Sequence, residues 1–95
     1  MLSEEEVRRL TRWAKLIGAK VVFCLEDYKF NLVVGKFIHA EDKEGREVPW
    51  VRAFGSKMPW DVLSSFKVKE VRVKVKGTER RFKRDEFKKY LKGII

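Results

Sequence analysis

The chain has one cysteine, Cys24, and one histidine, His39. A lone cysteine excludes an internal disulfide framework and a cysteine-based zinc site. A lone histidine excludes multi-histidine metal centres and leaves histidine-centred acid–base chemistry little footing. Glutamine is absent, and Asn31 is the sole asparagine. No apolar run approaches the ~18 residues that a membrane-spanning helix needs. The opening residues, Met1 to Glu6, are acidic where a signal peptide would be basic, so a cytoplasmic location is expected. No cofactor motif is present, and no cofactor or metal is expected.

What is abundant is charge. Lysine and arginine total 23 against 14 aspartate and glutamate, a formal net charge of +9. With 44% hydrophobic and 13% aromatic residues in 95, a packed core is affordable, which argues against disorder and for one domain spanning residues 1–95. The charge is uneven. Residues 1–47 hold nine basic and nine acidic side chains, whereas residues 48–95 hold 14 basic and five acidic ones, so the whole excess lies in the second half. Such asymmetry points to a polyanionic partner. In size, basic character and the replacement of amides by Lys, Arg and Glu, the chain resembles small basic proteins of hyperthermophilic archaea. The resemblance implies a thermophilic, archaeal source and carries no activity with it.

The local patterns predict an α+β domain with a mostly antiparallel five-stranded sheet, an N-terminal amphipathic helix, and short middle and C-terminal helices. Ser3 and Glu6 form an S-x-x-E capping box, and Val7, Leu10, Trp13, Ala14 and Ile17 share one face of the helix, which Gly18 ends. Val21–Leu25 reads as a strand. Leu32–Ala40 reads as a second, with a bulge or a close backbone approach at Gly35, and Arg46–Phe54 as a third that Pro49 either confines to an edge or bulges. Between these two, Asp42 to Gly45 reads as a turn. Pro59–Ser65 reads as a short helix. Val71, Val73 and Val75 alternate with Arg72, Lys74 and Lys76, the mark of a half-buried strand, and a turn at Gly77-Thr78 returns it as Glu79–Lys83. A last helix begins at Asp85, with Gly93 as its stop.

The last hairpin carries the functional expectation. A turn at 77–78 sets Lys74 opposite Arg81 and Arg72 opposite Lys83, like charges that cost about 0.2–1 kcal/mol per pair. Helix 1 pairs its charges, so cations kept together here point to an external anion, and phosphate is the natural one. The sequence therefore predicts a sequence-nonspecific nucleic-acid-binding module using Arg72, Lys74, Lys76, Arg81 and Lys83 of the hairpin and Lys88, Lys89 and Lys92 of the following helix. Trp50 beside Arg52, and Trp60, are candidate base-stacking platforms, although core packing accounts for them as well. Lysines that keep an edge hairpin from aggregating are the alternative account of the strip. A protein–protein interaction or subunit domain, such as a homodimer through an edge strand, using the Val48–Phe54 edge and exposed tryptophans is the alternative function.

Enzyme signatures are missing. Gly55-Ser56-Lys57 lacks the spacing of a phosphate-binding loop, and Asp27, Asp42, Asp61 and Asp85 are scattered. No catalytic residue is assigned, and a nuclease assembled from separated carboxylates and lysines is the remaining catalytic alternative. Cys24, within an apolar strand, is expected to be buried and inert, and His39 to lie on the surface.

Overall fold

Helix α1 (Glu4–Ile17) starts where the capping box places it. Ser3 Oγ accepts from the Glu6 N–H at 3.2 Å, and Glu6 Oε1 accepts from the Ser3 N–H at 3.0 Å. Two i,i+4 ion pairs, Glu4–Arg8 and Glu5–Arg9, line its outer face. Gly18 ends it at φ 71°, the left-handed conformation that glycine adopts without strain. Val7, Leu10 and Ala14 are buried.

The computed structural model describes residues 1–95 and continues with β1 (Lys20–Leu25), β2 (Phe30–Val34), β3 (Ile38–Asp42), β4 (Glu47–Val48), α2 (Trp50–Phe54), α3 (Pro59–Ser65), β5 (Val68–Val75), β6 (Thr78–Phe82) and α4 (Arg84–Ile94). The strands form one six-stranded sheet in the order β4-β3-β2-β1-β5-β6, and every neighbouring pair is antiparallel. Between β3 and β4, Asp42 Oδ1 accepts from the Glu44 and Arg46 N–H groups, and Gly45 sits at φ 87°.

Four local expectations are corrected. The segment expected as one strand, Leu32–Ala40, is the hairpin β2–β3. Gly35, Lys36 and Phe37 form its connection, with the Gly35 N–H donating to the Phe37 carbonyl. The run of apolar residues hid the turn, because Phe37 is exposed at its tip. The segment expected as the edge strand Arg46–Phe54 keeps only two strand residues, and Pro49 then leads into helix α2. Trp50, Ala53 and Phe54 fit the i, i+3, i+4 spacing of one helical face, and the Trp50 and Phe54 rings meet at 4.8 Å. The first of these changes turns the expected five strands into six, and the second shortens one of them. Gly93 does not stop α4, which runs on to Ile94. The final hairpin turns at Lys76-Gly77, not Gly77-Thr78. Both residues have positive φ (47° and 80°), the signature of a type I′ turn.

The core lies on one side of the sheet. Residues of alternate parity, such as Val21, Phe23, Leu32, Val34, Val71 and Phe82, meet α1, α2, α3 and α4 in one cluster of 22 buried residues. Phe87 of α4 packs edge-on to Phe23 at 5.5 Å and Phe82 at 6.1 Å. Tyr28, whose hydroxyl donates to the Ala53 carbonyl, ties the β1–β2 turn to α2. The other side of the sheet has no helix.

Candidate nucleic-acid interface

Strand register decides what the helix-free face displays, because side chains alternate across a strand. Val73 pairs with Arg80, Lys74 with Glu79 and Arg72 with Arg81, two residues from the expected register. A shift of two leaves each side chain on its face but changes its neighbour. Lys74 is therefore not opposite Arg81, nor Arg72 opposite Lys83. Instead Glu79 sits among the cations, its carboxylate 3.6 Å from Lys74 Nζ and 3.0 Å from Arg81 Nε. The hydrogen bond from Arg81 holds the Glu79 carboxyl below its ordinary range, with the charges of Arg81, Lys74 and Arg72 adding. Arg72 Nε lies 2.7 Å from Glu70.

Like-charge neighbours nonetheless persist, at other positions. Lys20 of β1 is in register with Lys74 of β5, and Arg72 of β5 with Arg81 of β6. These four side chains come together on the uncovered face. Lys76 at the turn and Lys83 at the start of α4 are exposed and have no carboxylate within 4.0 Å. Lys20 was missed by sequence reasoning. Its signal was its place at the head of β1, but only pairing of β1 with β5 puts it beside Lys74.

The remaining expected residues separate from this strip. Lys88, Lys89 and Lys92 are exposed on α4, whose buried residues Phe87 and Leu91 pack onto the helix-covered side of the sheet. They point away from that packing and belong to the opposite side of the molecule. Arg80, on the covered face, lies 4.9 Å from the Phe82 ring and 5.3 Å from the Tyr90 ring, a cation–π contact. Trp50 and Arg52 are on α2. The Trp50 indole N–H donates to the Lys57 carbonyl at 3.0 Å and its ring packs on Phe54. Trp60, half-buried on α3, has the Arg8 guanidinium 5.4 Å from its ring. The helix-free face thus carries no tryptophan, and Trp50, Arg52 and Trp60 stand apart from the strip.

Farther along the same face, Glu41 is buried although it is charged. Its Oε2 lies 2.8 Å from both Lys20 Nζ and His39 Nε2. Burial alone would push this carboxyl up, but the hydrogen bonds and charges of Lys20 and His39 outweigh it and hold the group below its ordinary range. His39 is half-buried in this cluster, not the free surface histidine expected. No group of three His, Cys, Asp or Glu side chains is placed to hold a metal ion, and no helix is long and apolar enough to cross a membrane.

No protein-family model, curated protein or solved structure matches the chain.

Proposed function

We propose that the chain is a sequence-nonspecific nucleic-acid-binding module whose contact surface is the helix-free face of the sheet at β5 and β6. The observation that carries the reading is the juxtaposition of two like-charge register pairs, Lys20–Lys74 and Arg72–Arg81. Glu41, Glu70 and Glu79 meet these four cations within the protein, and with Lys76 and Lys83 the face sets six cations against three carboxylates, an excess that a polyanion can neutralise. Lys76 and Lys83 extend the same strip without acidic partners. Phosphates spaced along a backbone satisfy such a row of cations, and no aromatic ring lies against Arg72, Lys74, Lys76, Arg81 or Lys83 to offer a stacking platform for bases. Recognition therefore falls on the backbone, which carries no sequence information.

Binding titrations with duplex DNA at several salt concentrations test this. Five phosphate contacts, from Arg72, Lys74, Lys76, Arg81 and Lys83, give a slope of log K against log salt near −4.5, at about −0.9 per contact. Contacts from the two unpaired lysines alone give about −1.8. Binding that is absent at low salt, or indifferent to salt, overturns the reading.

The alternative, an interaction domain built on the Val48–Phe54 edge, loses its template. Only Glu47 and Val48 pair there, and a two-residue strand offers little backbone for another chain to extend.

A further inference from the structure

A cavity of about 440 Å³ opens on the helix-free face, beside the strip, where β1 and β5 fall out of register. Cys24 pairs with Glu70 but Leu25 with Val68, so Lys69 is an extra residue on β5. A bulge of this kind bends a strand and re-aims its side chains. Asn31, Lys43, Lys69 and Arg72 supply the cavity's hydrogen-bond donors.

Two features make this more than a gap between side chains. Asn31 is 7% exposed, and its Oδ1 is saturated: the Leu25 N–H donates to it at 3.2 Å and Lys43 Nζ at 2.7 Å. Those two donors fix the orientation of the amide, so its NH₂ is the remaining group. It has no partner within the protein, yet it is not sealed in the interior. The second feature is Lys43. Its ammonium bonds only the neutral oxygens of Asn31 and Leu25 and has no carboxylate within 4.0 Å. Desolvation lowers its pKa; Cys24 works against that shift, and the charges of Lys69 and Arg72 add to it. Lys43, Lys69 and Arg72 are the three cations of the cavity wall. Arg72 commits Nε to Glu70 and leaves its terminal nitrogens without a protein partner.

The acidic groups lie among the same walls. Glu26 is engaged by Lys67 at 3.3 Å and Glu70 by Arg72, while Asp27 stands in the β1–β2 turn. A bare phosphate would leave most of this volume empty and would not use these acceptors. A ligand with an anionic end and several hydrogen-bond donors uses both. A nucleotide has that composition, with a phosphate at one end and sugar hydroxyls and base amino groups at the other. Burial raises the Cys24 pKa, so its thiol stays protonated and serves as wall and weak donor, not nucleophile.

We infer that the cavity holds the terminal, phosphorylated nucleotide of a bound strand, with the phosphomonoester on Asn31, Lys43, Lys69 and Arg72. This rests on the nucleic-acid reading above, because Arg72 belongs to both the strip and the cavity wall and leads a strand from one to the other.

The test compares one single-stranded oligonucleotide ending in a 5′-phosphate, in a 3′-phosphate or in hydroxyls only, followed by fluorescence anisotropy, with adenosine monophosphate as the free nucleotide followed by calorimetry. One phosphorylated oligonucleotide is expected to bind about tenfold more tightly than the hydroxyl form, as one charge-assisted hydrogen bond provides. Lys43→Met should bring that ratio close to one. Lys69→Ala, at an exposed residue with no internal bond to lose, should reduce it in the same direction without a folding defect. Lys76→Ala and Lys83→Ala should weaken all three oligonucleotides and keep the ratio. Three equal affinities overturn the inference and leave the strip standing. Binding of adenosine monophosphate that Lys43→Met abolishes, with no oligonucleotide bound, overturns the strand-end assignment through the failure of the nucleic-acid reading itself.

Discussion

The two faces of the sheet bury apolar residues in different ways. On the covered face, four helices close over a cluster of 22 residues, and Phe23, Leu32, Val34 and Phe87 have almost no exposure. On the other face, Val22, Cys24 and Val33 form a cluster of three, just as dry, with no secondary-structure layer above them. Long charged side chains are their roof. Lys20 reaches Glu41 from β1 to β3, across β2 and Val33, and Arg72 stands in register with Val22. Lysine and arginine stems exclude water while their heads stay wet. The contrast teaches that a sheet centre can be buried by a charge network as well as by a helix layer.

The largest effect should come from breaking the covered face. Phe87→Ala removes a fully buried ring that touches Phe23, Phe82 and Tyr90, and should cost about 3–5 kcal/mol in denaturant unfolding. A loss below about 1 kcal/mol would mean that α4 is not anchored to the sheet.

Glu41→Gln breaks the roof of the other face and should cost about 1–3 kcal/mol at neutral pH, the range for buried hydrogen bonds to a charged group. The pH dependence sharpens this. Because the folded-state pKa of Glu41 is depressed, its stabilisation is present above the unfolded-state value of about 4.3 and is lost as pH falls through the lower folded value. The difference in melting temperature between wild type and Glu41→Gln should therefore shrink as the pH falls from about 5 to about 3. A constant difference would remove the ionic part of the argument.

Ser3→Ala tests how far the covering layer is held by its own local sequence. Loss of the capping box should cost about 0.5–2 kcal/mol. An unchanged denaturant midpoint would show that packing alone holds the start of α1.

The smallest change concerns Glu79, the carboxylate between Lys74 and Arg81. Glu79→Gln releases both cations and should tighten nucleic-acid binding by about a fewfold at low salt and steepen the salt slope. It should leave the helix-covered core untouched, which an unchanged near-ultraviolet circular dichroism spectrum would verify. Weaker or unchanged binding would place the contact surface elsewhere.

Much of the architecture was legible because it is local. Ser3, Glu6 and Gly18 bracket α1 by side-chain and backbone hydrogen bonds within a turn of each end, and the alternation from Val71 to Lys76 identifies β5 by period alone. The half-buried Trp13, now edge-on to Tyr90 at 6.3 Å, followed from helical spacing. Misread segments were those where short-range rules compete. Pro49 suits an edge strand and a helix start equally, and the packing of Trp50, Ala53 and Phe54 chose the helix. Gly77 can be the first residue of one tight turn or the second of another, and the type I′ geometry at Lys76-Gly77 shifted the register by two.

By itself, then, the sequence determined the fold class, the ends of α1 and the side of β5 and β6 on which each charge stands, because periodicity and capping act over a few residues. Tertiary structure alone decided who meets whom. Strand β5 pairs with β1 across more than forty residues, and that pairing brings Lys20 to Lys74 and opens the cavity at the Lys69 bulge. It also sends the α4 lysines to the opposite side from the strip. Strand partners are chosen by the burial of whole faces, an energy summed over the sheet, and no stretch of neighbouring residues records that sum.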